Sequence, residues 1–60
     1  MHGLQVTVTS CARGLLAYAR TGVSYDALNE KVVASSQGLG VTTAWLWRTI
    51  NEIAESERNG

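Results

Sequence analysis

The sequence predicts a mostly α fold: a short N-terminal strand followed by three helices, in one small domain over residues 1–60 that associates as a dimer. Three observations predict it. The chain has 60 residues, 45% of them hydrophobic, with no proline to interrupt a helix. Three stretches carry apolar residues at helical spacing behind a Ser or Thr that can cap them. A single Cys permits no internal disulfide, so a domain this small must depend on a dense helical core or on association.

Leu4-Gln5-Val6-Thr7-Val8-Thr9 alternates apolar and polar residues, and Val and Thr favour strands, so these residues predict the strand. Leu4, Val6 and Val8 would face the core and Gln5, Thr7 and Thr9 the outside. A lone strand leaves its backbone groups unpaired, so it either joins its twin in a dimer or is not regular structure, and dimerisation is expected through this ribbon, the third helix, or both. Ser10 can cap a first helix over about 11–20, whose apolar face is Cys11, Ala12, Leu15, Leu16, Tyr18 and Ala19. Gly22 is placed to end it. Ser24 caps a second helix over about 24–36, with Asp26 in its first turn and Tyr25, Leu28 and Val32 as a narrow stripe. Ser35 and Ser36 extend that stripe poorly, and Gly38 and Gly40 break the helix. Thr42 or Thr43 caps a third helix to about residue 57, with Leu46, Trp47, Ile50, Ile53 and Ala54 facing inward. The large core candidates are Leu15, Leu16, Leu28, Leu39, Leu46, Trp47, Ile50 and Ile53.

Composition excludes several classes. Charged residues are 17% of the chain, too few for a disordered one. No run approaches the roughly 18 apolar residues of a membrane span. The N-terminus has no basic, apolar leader, and an unpaired Cys fits a reduced, cytoplasmic setting, as in many compact phage and plasmid products. One Cys and one His cannot make a tetrahedral metal site, so no metal or cofactor is expected. Catalysis is not expected either. Cys11 and His2 are the one nucleophile–base pair on offer, and Cys11 sits on an apolar helix face. Gly38-Leu39-Gly40 lacks the following lysine of a phosphate loop.

The formal net charge is zero, and it is unevenly placed. Through Gly40, Arg13, Arg20 and Lys31 oppose Asp26 and Glu30. Beyond it, Arg48 and Arg58 oppose Glu52, Glu55 and Glu57. The front is slightly basic and the final helix slightly acidic.

Tyr25-Asp26-Ala27-Leu28-Asn29-Glu30-Lys31-Val32, followed by Leu39-Gly40-Val41-Thr42-Thr43-Ala44-Trp45-Leu46-Trp47-Arg48-Thr49-Ile50-Asn51-Glu52-Ile53-Ala54-Glu55, resembles the helix-turn-helix of bacterial regulators. The resemblance implies a small non-enzymatic DNA-binding transcriptional regulator whose third helix enters the major groove by its N-terminal half. It implies that Thr42, Thr43, Ala44, Arg48 and Asn51 face bases or phosphates, with Arg13, Arg20 and Lys31 as backbone contacts. Leu4 to Ala34 is in turn similar to the ribbon-helix-helix repressors. That likeness implies a dimer ribbon whose outward Gln5, Thr7 and Thr9 read bases.

A reading from a different class rests on the tryptophans. At about 100° per residue, Trp45 falls outside the inner stripe, near Arg48 and Glu52. Tryptophan is enriched where proteins bind one another. A small non-catalytic inhibitor or adaptor would use Trp45 and Trp47 as its interface. Electrostatics separates the two readings. Arg13, Arg20, Lys31 and Arg48 converging beside the start of the third helix would favour DNA. Scattered cations favour a protein partner.

Overall fold

The computed structural model describes residues 2–60, with the side chains from Gly3 onward, as three helices: α1 (His2–Ala19), α2 (Tyr25–Leu39) and α3 (Thr43–Asn59). No strand occurs among the described residues.

The N-terminal strand is therefore corrected: residues 4–9 are the first turns of α1. Read at helical spacing, Leu4, Val8, Ala12 and Leu15 continue one face, and Val8 and Ala12 are fully buried. Alternation was the weaker pattern because a lone strand has no ladder partner, whereas a helix satisfies its own backbone. Of the three residues that the alternation turned inward, Val8 is buried, while Leu4 is 40% and Val6 64% exposed. The Thr7 hydroxyl donates to the Gly3 carbonyl at 2.8 Å, a bond four residues back that exists only on a helix. Ser10 consequently lies within α1 and caps nothing. The ribbon dimer and the ribbon-helix-helix likeness both required the strand, and both fall with it.

α2 is also longer than its glycines suggested. It starts at the expected cap, the Ser24 oxygen accepting from the Ala27 amide at 3.1 Å. It then runs through Gly38 and stops at Gly40, whose φ of 72° is the left-handed cap conformation that favours glycine. Ser36 lies within this longer helix. Far from packing poorly, this side chain is buried, its hydroxyl donating to the Val33 carbonyl at 2.8 Å and lying 3.0 Å from the Thr43 hydroxyl. A buried hydroxyl with both partners present carries no desolvation penalty. Thr42 caps α3 by accepting from the Trp45 amide at 3.1 Å.

Val8, Ala12 and Leu15 of α1, Val32 of α2, and Leu46 and Ile50 of α3 form the core. Cys11, Leu16, Leu28, Leu39, Val41, Trp47 and Ile53 flank it, half-buried. α1 and α3 share the largest contact, and Arg20 and Glu57 form an ion pair where the ends of these helices meet. The molecule is flattened, 32 × 28 × 15 Å. Its accessible surface is 4169 Å², against about 3,800 Å² from the size scaling of compact monomers. A thin plate of this kind leaves helix faces in water that a rounder domain would cover.

Candidate interaction surface

α3 turns two unlike faces outward and inward. Leu46, Ile50 and Ile53 point to the core, so at 100° per residue Ala44, Arg48, Asn51, Glu52 and Glu55 fall on the opposite side, and all five are exposed. With Trp47 at the edge they line an open groove of about 560 Å³.

Trp47 is the fixed wall of this groove. Its ring stacks on Tyr25, centroids 5.7 Å apart and planes 11° from parallel. Its indole N–H donates to Asn29 Oδ1 at 3.2 Å. Tyr25 and Asn29 are one helical turn apart on α2, so the pair grips the ring from stacking face and polar edge. The exposed Tyr25, 69% accessible, adds apolar surface beside the groove. Trp45 lies on the other flank of α3 and is 37% exposed.

Ala44, Arg48 and Asn51 share the groove, together with two carboxylates. The hydroxyls of Thr42 and Thr43 are engaged internally, as the α3 cap and as the partner of Ser36. Arg20 pairs with Glu57 at the far end of α3. Arg13 stands beside Val6, Thr9 and Ser10 on the exposed side of α1. Arg13 and Arg48 each lie on the side of their own helix away from the shared core. Lys31 is exposed on α2. Arg13, Arg20, Lys31 and Arg48 are thus spread over α1 and the turn after it, α2 and α3, and Arg20 is already paired.

Sequence reasoning placed Tyr25 and Ser36 on the α2 stripe but missed their roles, and it gave Asn29 none. Their signal was available: residues 25, 29, 32 and 36 recur at spacings of four, three and four, the period of a helix face. Polar residues at 29 and 36 hid it.

Among the described residues no three His, Cys, Asp or Glu side chains cluster as metal ligands. Cys11 is half-buried against the core, and the His2 side chain with which it was paired on paper lies outside the described residues. No described helix is long and apolar enough to cross a membrane. Comparison with protein-family models, with curated proteins and with solved structures found no match.

Proposed function

We propose that this chain is a small non-enzymatic protein-binding module, an inhibitor or adaptor, whose working surface is the outer face of α3. One observation carries the reading. The exposed face of α3 joins an immobilised indole and a small Ala44 to charges of both signs, one guanidinium and two carboxylates. Aromatic anchors ringed by mixed charge suit a protein partner. A phosphate backbone calls for accumulated positive charge, and here it would meet Glu52 and Glu55 beside Arg48. The dispersal of Arg13, Arg20 and Lys31 supports the same reading.

Trp45 is the residue to remove, because it is exposed and, at about 100° per residue, lies beside Glu52 and Arg48 at the edge of this face. In affinity capture from the native host, a folded Trp45→Ala variant is expected to lose at least tenfold in partner yield relative to wild type. A variant that keeps its circular dichroism and retains every partner overturns the reading.

A DNA-binding regulator is the second reading, and the link between α2 and α3 favours it. Only Gly40, Val41 and Thr42 separate the helices, the turn length of helix-turn-helix motifs, with a glycine in the left-handed conformation and a threonine cap. In that arrangement Ala44 and Arg48 would enter the groove first, while Glu52 and Glu55 lie one to two turns further along.

A further inference from the structure

We propose that the outer face of α3 pairs antiparallel with the same face of a second copy of this chain, across a two-fold axis at Asn51. The inference rests on reading that face as a protein-binding surface, and it names the partner. Charge order is the argument. Measured along the helix from Asn51, Arg48 lies about 4.5 Å toward the N-terminus, and Glu52 and Glu55 lie about 1.5 and 6 Å toward the C-terminus. A two-fold reverses one helix on the other, so Arg48 of each copy comes level with Glu52 and Glu55 of the second copy. The face is complementary to itself. A parallel pairing would set Arg48 on Arg48. A purely basic partner would leave Arg48 opposed by like charge, and a purely acidic one would leave both carboxylates so opposed.

Arg48 and Glu52 are also available: among the described residues the ion pairs are Arg20 with Glu57 and Arg58 with Glu55, so Glu55 would be shared between Arg58 and Arg48 of the second copy. Arg preceding Glu by four residues is the weaker order for a pair within one helix, which leaves both side chains free to reach outward. Ala44 keeps one end of the face low, and Trp47 supplies apolar area along its edge. α3 has 17 residues, about 26 Å of helix. A single helix face of that length lies near the lower limit of roughly 1,000 Å² for a specific interface, so the dimer belongs to the weak, reversible class.

Charge exchange tests the pairing. Arg48→Glu and Glu55→Arg alter exposed positions, and circular dichroism checks that each variant keeps the fold. Analytical ultracentrifugation from roughly 1 to 300 µM spans the range in which an interface of this size associates. Wild type should show a monomer–dimer equilibrium, and each variant alone should dimerise at least tenfold more weakly. An equal mixture of the two should dimerise more strongly than either alone, because on one side of the axis Arg48 again meets both Glu52 and Glu55. Three outcomes overturn the proposal: a wild type monomeric throughout, variants that dimerise undiminished, or a mixture no stronger than its components. Should wild type stay monomeric while capture remains dependent on Trp45, self-pairing fails and the interface reading stands.

Discussion

Leu46→Ala is expected to remove about 3 kcal/mol of stability, within the range for truncating a fully buried leucine. Leu46 has no accessible surface and meets residues from the other two helices in the core. The loss has two parts, the transfer free energy of the deleted carbons and the cavity that α1 and α2 cannot collapse to fill. It is large against the whole. At about 0.05–0.15 kcal/mol per residue, a domain of this size holds roughly 3–9 kcal/mol in all. A drop of about 15 °C in Tm follows from the entropy of unfolding for a domain this small. Thermal melting followed at 222 nm measures it. A shift under about 4 °C would mean that Leu46 is not the centre of the core.

Thr9→Pro is the second large effect, and it tests the corrected N-terminus. In a helix over His2–Ala19 the Thr9 amide donates to the Gln5 carbonyl. Proline removes that donor and its ring collides with the same carbonyl, at a cost of about 3 kcal/mol or more. The kink would also pull Val8 off its buried seat. Thr9→Ala, as the control, should be nearly neutral, since alanine favours the helix. An edge strand over residues 4–9 would tolerate proline at a position facing water. Unchanged melting and unchanged helicity in Thr9→Pro would therefore contradict the continuous α1.

The contrast between these two positions shows what could be read from residues alone. α3 was legible because Thr42 caps it and Leu46, Ile50 and Ile53 repeat at spacings that no strand supports. Residues 4–9 misled because six residues can satisfy both periods. The choice was made by residues 12 and 15, which lie outside that window and complete the helical face. α2 was cut short because Gly38 and Gly40 read as breakers, and the stripe before them looked interrupted at Ser36. Its hydroxyl instead finds Val33 and Thr43, and the second partner comes from another helix. Such a pairing leaves no trace in local pattern. On the candidate surface, Ala44, Arg48 and Asn51 do share one face, as their spacing required. The Tyr25–Trp47–Asn29 contact needed the crossing of α2 and α3, which spacing does not supply.

Placing the charges in space also changes the weight given to the two readings of α3. In the sequence the slightly acidic final helix already weighs against a recognition helix, with the basic excess lying before Gly40. In the fold Arg20 is paired with Glu57, Arg13 lies on the side of α1 away from the core, and Arg48 stands among carboxylates. Each phosphate that a protein neutralises contributes about 0.9 to the slope of log affinity against log salt. A surface with one cation and two anions offers little of that term.

The most direct test is a titration of fluorescently labelled mixed-sequence duplex DNA, read by anisotropy at roughly 50 mM and again at roughly 200 mM salt, where electrostatic binding separates from the rest. If α3 meets protein, the anisotropy stays flat at both salts up to about 100 µM chain, past the non-specific affinity of ordinary DNA-binding domains. Binding at low salt that weakens steeply at high salt, and that is abolished by Arg48→Glu, would contradict that account and assign the face of α3 to DNA.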